Sequence, residues 1–517
     1  MEWLRQKTKS VVWILIAIAS LALVGWLFET GRMAVALAKG HARAAGMPTK
    51  FEEIIPPHVP DADNAAPLIA RFVPQLNELR LRTLSELSWK TNLIGVIAHD
   101  RQNRRFIRFT FFPLSSVRKT LRIGMAFRED DPWWVEERKR ALTGRAWVTA
   151  QLDSPAALAV LAVIREAAAK RGYDPHVAWM EGSLPRWPDD EGQIAEAATL
   201  LSETALLAAD QGKMEDACTD VWAMFRLADF LANEPVLSRQ RNRLRILQTA
   251  VEDLEEIAAT GKLPPTWNLK FAGKLASMNL AGDLARDLSA AGLMGGKFYF
   301  EGILSGRISF PIIVRPPSES WVFPSNMGDQ LRYWQLHNLV RREYSLYIDW
   351  HTQVSTAIAE PCISLKALIQ RLHDADARIT PDRIIPSTLL PATHPGPLPV
   401  PWGLSSEWSP SNIGDVITAT WWLRTKIAIA QVGLALERYR VDKGDYPSAL
   451  DTLVPEYLPA VPTNIFTGNP LHYEHSPGAA AVVGEDAYYS DLPTAAWLAA
   501  KTAENVFWGQ TNETRTQ

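Results

Sequence analysis

The stretch of sequence that decides the fold is residues 153–172, DSPAALAVLAVIREAAAKRG. Ser154 followed by Pro155 is typical of a helix start, because a serine hydroxyl can accept a hydrogen bond from a free amide and proline suits the first helical position. Gly172 is the expected stop. Apolar side chains in between recur at helical spacing and share one face: Ala157, Leu158, Leu161, Ile164, Ala167 and Ala168. The pattern predicts an amphipathic helix that buries this face against other helices.

Further helices are predicted on its C-terminal side, over residues 193–210, 214–232, 237–259, 264–290, 330–359 and 362–377. Residues 291–330 are rich in glycine and proline, a composition typical of loops. The sequence therefore predicts a body of helical hairpins over residues 151–380. In the helix over residues 214–232, one face carries Cys218, Val221, Trp222, Phe225 and Ala228. Cys218 is accordingly interpreted as a small core residue.

Composition excludes several classes of protein. The chain has 517 residues, of which 47% are hydrophobic, and a formal net charge of -3. These values exclude a disordered chain and a basic nucleic-acid coat. Two cysteines cannot build a disulfide scaffold. The length leaves room for roughly two to four domains, each with its own core.

A membrane anchor is predicted within residues 1–30. Residues 11–28, which begin with Val11 and end with Phe28, contain no charged side chain. As a helix they span roughly 27 Å, which is enough to cross a bilayer once. Arg5, Lys7 and Lys9 precede them and favour a cytoplasmic N-terminus. The sequence predicts a single-pass protein of the inner (cytoplasmic) membrane, with its N-terminus inside and its bulk extracytoplasmic.

The alternative is a cleaved signal peptide. Ala36-Leu37-Ala38 resembles a small-residue cleavage site after a basic start and an apolar run. This site lies well beyond Phe28, and the apolar run is longer than most signal-peptide cores. The uncleaved anchor is therefore favoured, and both alternatives place the bulk of the chain outside the cytoplasm.

Residues 31–150 are predicted to connect the anchor to the helical body. Residues 48–60 are rich in proline, and the Asp61-Ala-Asp-Asn64 that follows is typical of a helix start. Residues 93–98 and 106–112 are short β-type runs around a polar turn and form a candidate β-hairpin. Arginine and aromatic residues interleave in the second run, which a half-exposed strand explains. No nucleic-acid partner is expected.

A proline-rich linker and a small α+β module are predicted at the C-terminal end. Residues 381–411 carry the prolines of the linker, and residues 412–517 form the module. A long helix is predicted over residues 412–441, and it ends at Asp442-Lys-Gly444. Residues 481–483 and 488–490 are candidates for the last strands of an antiparallel sheet.

This module resembles the soluble part of type II secretion pseudopilins over about residues 434–490. In that family, a long helix leads to a Gly-x-Tyr-Pro turn, a leucine-rich turn, a crossing loop and a small antiparallel sheet. The matching residues are Tyr439, Gly444, Tyr446, Pro447, Leu450, Leu453, Pro462, Gly468, Pro470 and Tyr473. The resemblance implies a protein partner in a secretion or envelope assembly. The whole layout also resembles uncharacterised membrane-anchored envelope proteins of planctomycete-like bacteria.

The sequence departs from the pseudopilin pattern in two places. The apolar run precedes Gly25 instead of following it, and Glu29 lies four residues beyond that glycine. We therefore expect no prepilin peptidase site. Asn464-Ile465 replaces an Asp-Pro pair that is common in the crossing loop, and no acidic calcium loop can be mapped.

Motifs that could carry chemistry fit simpler interpretations better. His472 and His475 would point to opposite faces of a strand, so they would converge on a metal only across a turn. Asp253 and Glu256 are a candidate acid–base pair within a carboxylate run, although such runs are usually the solvated face of a helix. Ser116 and Lys119 match a nucleophile pattern without its partner motifs.

Two further motifs lead to the same conclusion. Residues 292–298 have the wrong spacing for a phosphate loop. Cys218 and Cys362 either pair in an oxidising compartment or stay free, and the sequence does not decide between these states. The sequence therefore assigns no catalytic residue, no metal ligand and no cofactor.

The sequence favours a non-catalytic role, that of a membrane-anchored extracytoplasmic scaffold or interaction protein linked to secretion or envelope assembly. The alternative is a membrane-tethered periplasmic hydrolase without a recognisable motif. Its site would lie between the helical body and the segment over residues 291–330. Convergent histidine and carboxylate side chains in a deep pocket would favour this alternative.

Overall fold

The computed structural model describes residues 30–90, 150, 152–177, 179, 188, 190–232, 234–259, 261–307, 327–360, 364–379, 410–465, 471–476, 479–484 and 506–509. Several predicted features lie outside these residues: the anchor, the β-hairpin, Ser116 and Lys119, nearly all of the proline-rich linker, Cys362, the strand at 488–490, Gly468 and Pro470. Among the described residues, no helix has the length and apolar character needed to span a membrane.

Helices make up most of the described chain, so the predicted mainly helical fold is confirmed. Helix α1 covers residues 30–44. The others are α2 (Ala66–Lys90), α3 (Pro155–Ala169), α4 (Glu191–Asp210), α5 (Met214–Ala232), α6 (Leu237–Ala259), α7 (Pro265–Ala276), α8 (Leu280–Gly295), α9 (Glu301–Leu304), α10 (Met327–Ala359), α11 (Leu365–Ile379) and α12 (Pro410–Lys443).

A three-stranded antiparallel sheet follows α12. Its strands are β1 (His472–Ser476), β2 (Ala479–Gly484) and β3 (Val506–Gly509), in the order β1-β2-β3. Tyr473 pairs with Val482, and Val482 pairs with Trp508. Strand β2 contains the predicted strand at residues 481–483.

The helix starts in the body follow the capping residues that the sequence contains. Ser154 accepts a hydrogen bond from the Ala157 amide, and Pro155 occupies the first turn of α3. Asn279 caps α8 in the same way through the Gly282 amide. This cap divides the predicted stretch over residues 264–290 into two helices, α7 and α8.

The glycine-rich segment after residue 291, for which the sequence predicts no helix, is helical at its start. Helix α8 runs through Gly295, and a π-helical turn over Gly296–Phe300 leads into α9. A Cβ atom at Gly292 would lie 2.7 Å from His351, and one at Gly296 would lie 2.7 Å from Tyr344. These glycines are required because α8 and the π-helical turn approach α10 closely.

Helix α12 lies at the centre of the fold. It packs against α6, α7 and α8 and carries β2 and β3. Buried apolar side chains occupy every side of it, including Val416, Ile417, Trp421, Leu423, Ile427, Ile429, Val432, Leu434 and Leu436. The helical body and the predicted C-terminal module therefore share one hydrophobic core.

Two polar contacts fix α12 against its neighbours. Lys426 donates a hydrogen bond to Glu252 of α6 at 2.7 Å. The side-chain amide of Asn268, on α7, donates to the Leu434 carbonyl at 3.1 Å. Both contacts lie inside or at the edge of the core, where they select one position of α12 along its axis.

The carboxylate run on α6 is not a solvated face, contrary to the sequence interpretation. Asp253 is 1% exposed and Glu255 is 8% exposed. The reason is that α6 is enclosed by α4, α5 and α12, so few of its positions reach water. Glu252 pairs with Lys426, and the run serves packing between helices.

An ion pair with a buried carboxylate ties together three helices of the body. Arg165 of α3 makes two hydrogen bonds to Asp220 of α5, at 2.7 and 2.8 Å. Thr204 of α4 donates a third bond to the same carboxylate at 2.7 Å. Asp220 is 1% exposed, so these donors replace all of its hydration.

We predict that Asp220→Asn lowers the free energy of unfolding by about 2–3 kcal/mol, because it removes the negative charge that accepts hydrogen bonds from Arg165 and Thr204. Asp229→Asn is the matched control on the same helix. Asp229 pairs with Lys274 and Arg226 but is a quarter exposed, so its loss should cost about 1 kcal/mol. Urea unfolding followed by far-ultraviolet circular dichroism measures both, and equal costs would contradict the prediction.

Candidate functional site

The described residues of the pseudopilin-like motif meet at the C-terminal end of α12. Gly444 ends the helix with a φ of +90°, a conformation that favours glycine. Leu450 and Leu453 are buried beneath the turn that follows. Tyr473, on β1, donates a hydrogen bond to the Pro447 carbonyl at 2.7 Å. We call this group of residues the C-terminal joint.

Tyrosine hydroxyls close the joint. Tyr446 donates to Glu437 at 2.5 Å, and Arg440 donates to the other oxygen of that carboxylate at 2.8 Å. Burial, followed by the contact with Glu437, raises the pKa of Tyr446. Tyr457 donates to Asp442 at 2.9 Å and packs edge-on against Tyr439. Every polar group named here has a partner within the joint, and these hydrogen bonds hold the turn and the sheet against α12.

The described residues hold a small cavity between α1, α8 and α10. Its volume is about 40 Å³, and its lining includes Lys39, Ser289, Gly292, Tyr344, His351 and Thr352. One water needs about 10–15 Å³ of such volume, and pockets for organic ligands usually measure about 300–1,000 Å³. This cavity therefore has room for about three waters and not for an organic substrate.

His351 is the titratable group at the centre of that cavity. Its Nδ1 lies 3.2 Å from the Leu288 carbonyl, so the neutral ring carries its proton on Nδ1. Burial lowers the pKa of His351 to about 3, against a smaller opposite effect of this hydrogen bond. The ring is therefore neutral at physiological pH.

Lys39 and Glu301 close one side of the cavity. Lys39 donates to Glu301 at 2.9 Å, and Tyr344 donates to the same oxygen at 3.1 Å. Ser289 donates to the Ala285 carbonyl at 2.6 Å. The serine hydroxyl is thus committed to the backbone of its own helix, and this geometry does not activate a nucleophile.

A second group of polar side chains lies where the proline-rich residues 48–60 pass the C-terminal end of α3. His58, Asp174 and His176 each offer one ligand atom, and the three atoms lie within 4.8 Å of one another. His58 Nδ1 lies 2.8 Å from Asp174 Oδ2, and His176 Nδ1 lies 3.4 Å from the same oxygen. The two imidazoles stack with ring centroids 5.6 Å apart. We call these three residues the histidine–aspartate cluster.

Local backbone geometry builds this cluster. The His176 amide donates to Asp174 Oδ1 at 2.8 Å, and the φ of His176 is +53°. This left-handed turn brings the imidazole back over the carboxylate. Burial raises the pKa of Asp174, but hydrogen bonds from the His176 amide, the His58 ring and the Val59 amide outweigh it, so the pKa is lowered overall.

Asn64 connects the cluster to the start of α2. Its side chain is buried, accepts hydrogen bonds from the Ala66 and Asp174 amides, and donates to the Asp174 carbonyl. The capping role predicted for the Asp61-Ala-Asp-Asn64 stretch is confirmed for Asn64. Gly172 pairs with Asn64 in a parallel bridge, and a Cβ atom on it would lie 2.8 Å from Val59. Only glycine allows the segment to approach so closely.

The sequence analysis did not identify the cluster. His58 lies 116 residues before Asp174, and neither His58 nor the Asp174-Pro-His176 stretch matches a metal motif by spacing. The available signal was the Asp-Pro-His sequence that begins two residues after Gly172, because aspartate before proline favours a turn.

The other residues weighed for chemistry have structural surroundings. His472 and His475 lie three positions apart in β1, as expected for residues on opposite faces of a strand. Cys218 is a fully buried free thiol, and burial raises its pKa to about 12. Its interpretation as a core residue is confirmed.

We predict that Tyr446→Phe lowers the free energy of unfolding by about 2 kcal/mol, because a buried carboxylate oxygen of Glu437 loses its donor. Tyr473→Phe removes a hydrogen bond to a neutral carbonyl at a less buried position and should cost about 1 kcal/mol. Urea unfolding of the two variants in parallel tests this order. The reverse order would show that the Glu437 contact is not what holds the joint.

We also predict acid sensitivity that depends on His351. The folded pKa is about 3 against an ordinary value of 6.5, so the unfolded ring takes up a proton first as the pH falls. The stability that the neutral ring contributes is complete above pH 6.5 and is lost progressively as the pH falls toward 3. Between about pH 7.5 and about pH 5 the loss is about 2 kcal/mol.

The variant His351→Asn keeps a donor toward the Leu288 carbonyl but cannot be protonated. Unfolding free energies at the two pH values should therefore differ less in this variant than in the wild type, by about 2 kcal/mol. His475→Asn, which changes an exposed histidine, should keep the wild-type difference. An unchanged pH dependence in His351→Asn would refute the assignment.

Comparison with known proteins assigns no function to these sites. No protein family, curated protein or solved structure matches the chain. The resemblance of residues 434–490 to pseudopilins therefore remains a prediction from the sequence.

Proposed function

We propose that the protein is a single-pass, membrane-anchored scaffold of the cell envelope, with its N-terminus inside and its helical body outside the cytoplasm. The observation that carries the proposal is the outer face of α1. Met33 is 67% exposed and Leu37 is 61% exposed. They are four residues apart, so both lie on one side of the helix.

The position of these side chains supports contact with lipid. Helix α1 begins in the described chain at residue 30, directly after the predicted anchor over residues 11–28. The opposite side of α1 packs into the body through Ala38 and Ala42. Large apolar side chains exposed just beyond a membrane-spanning segment suit the interface between headgroups and acyl chains.

The shape of the body supports a scaffold more than a hydrolase. The hydrolase alternative needs a substrate site beside the segment that starts at residue 291. Among the described residues, the cavity beside the start of that segment has room for about three waters. Burial lowers the pKa of its histidine to about 3, which makes it a weak base, and its serine bonds to backbone. The pseudopilin resemblance supports a protein partner in an envelope or secretion assembly.

Fluorescence quenching by lipid tests whether the exposed face of α1 contacts the bilayer. The full chain is reconstituted into nanodiscs with a fluorophore on Met33→Cys, after Cys362→Ser has removed the other candidate labelling site. Brominated lipid should quench this label strongly. A label on Lys213→Cys, an exposed position in the α4–α5 turn, is the control and should keep its intensity.

Equal quenching at the two positions, or none at either, would contradict the placement of α1 at the membrane. Reporter fusions after Gln517 test the orientation in the same way. A reporter active only outside the cytoplasm should be active in the membrane fraction. Activity of an inside-only reporter would overturn the proposed topology.

A further inference from the structure

We propose that the histidine–aspartate cluster binds one divalent transition metal, and that its ligands favour Zn²⁺. The bound ion would fasten the proline-rich residues 48–60 to the helical body. This inference is independent of the scaffold function. It rests on the convergence of His58, Asp174 and His176 and on what their positions in the chain connect.

The two distances from the histidines to Asp174 are close to those of a metal site, and the ligand atoms of all three residues lie within 4.8 Å of one another. Zinc binds histidine nitrogen at about 2.0–2.1 Å and carboxylate oxygen at about 2.0–2.2 Å, so two ligand atoms of a tetrahedral site lie about 3.3 Å apart. His176 Nδ1 lies 3.4 Å from Asp174 Oδ2. His58 Nδ1, now hydrogen-bonded to that oxygen at 2.8 Å, needs to withdraw by about half an ångström.

The donor set selects the class of metal. Two imidazole nitrogens and one carboxylate oxygen suit Zn²⁺ and its neighbours in the first transition series, whereas Ca²⁺ and Mg²⁺ prefer oxygen ligands alone. The His58 and His176 side chains are 69% and 58% exposed. Metal can therefore enter from solvent, and water can complete the coordination.

A second carboxylate, on the exposed side chain of Asp61, lies near one of the ligands. Asp61 Oδ1 lies 4.0 Å from His176 Nε2, on the side of the ring away from Nδ1. A carboxylate near the outer nitrogen favours the proton there and leaves Nδ1 free to bind metal. Asp61 and Asp174 also give the site a negative charge that attracts a divalent cation.

The framework around the ligands is held independently of any metal. Asn64 holds the Asp174 backbone on both sides, and Lys170 donates to the Ala62 carbonyl at 3.0 Å. Asp174 and His176 follow α3 in the chain, whereas His58 lies in the proline-rich residues 48–60. A bound ion would therefore join the chain leading from α1 to the body at a second point.

Calorimetric titration of the full-length chain with ZnCl₂ tests the proposal. The protein is purified in detergent through a tag without histidine and is first treated with a chelator. The wild type should bind one Zn²⁺ per chain, and Mg²⁺ or Ca²⁺ should give no heat of binding. His58→Ala and His176→Ala should each weaken binding at least about tenfold.

Two further variants separate this site from adventitious binding to surface histidine. His475→Ala removes another exposed histidine and should leave the affinity unchanged. Gly172→Ala alters no ligand but pushes Val59 away from the bridge, so it should weaken binding, whereas Gly273→Ala, with open space around it, should not. Binding that survives in both ligand variants would overturn the site.

Hydrogen exchange tests the fastening. Zn²⁺ should slow amide exchange over residues 57–66 in the wild type and leave it unchanged in His58→Ala. Stoichiometric binding without slower exchange would show that the metal does not fasten the segment. That result would refute the second half of the proposal while leaving the first intact.

Discussion

The burial of α12 on every side is the constraint on which the rest of the structure depends. A helix that is apolar around its whole circumference is unstable unless other elements enclose it completely. Helices α6, α7 and α8 and strands β2 and β3 all pack against α12. The fold of the body therefore requires a segment from the C-terminal quarter of the chain. The buried faces of this long helix are already occupied by its own chain.

The two ends of the body are fixed by different chemistry. At the C-terminal joint, tyrosine hydroxyls and the Glu437 carboxylate satisfy one another in a partly buried network, which holds the sheet against α12. Before the start of α2, backbone atoms connect the chain to the end of α3, through the bridge between Asn64 and Gly172. The first arrangement depends on charge and hydrogen bonding. The second depends on the absence of a side chain at Gly172, and it is what brings His58 to Asp174 and His176.

Periodicity was enough to predict most of the helices. Helices α5 and α6 have the predicted bounds, and α12 extends beyond the predicted 412–441 to Pro410–Lys443, because long segments with helical apolar spacing have few alternatives to a helix. Periodicity failed where tertiary contacts decide. Gly292 and Gly296 lie in helical segments, and glycine is needed there because His351 and Tyr344 leave no room for a Cβ atom. Asp253 is buried because three helices enclose α6. The histidine–aspartate cluster joins residues from distant parts of the sequence, and a local pattern cannot report that.

The central claim is that the helical body and α12 form one cooperative unit, and native-state hydrogen exchange of the full chain tests it most directly. Amides of α5, α6 and α12 should exchange with the same free energy of opening and the same denaturant dependence, because none of these helices can open while the others stay packed. Exchange from α12 and the sheet at a distinctly lower free energy, while α5 and α6 remain protected, would show a separate domain and contradict the account.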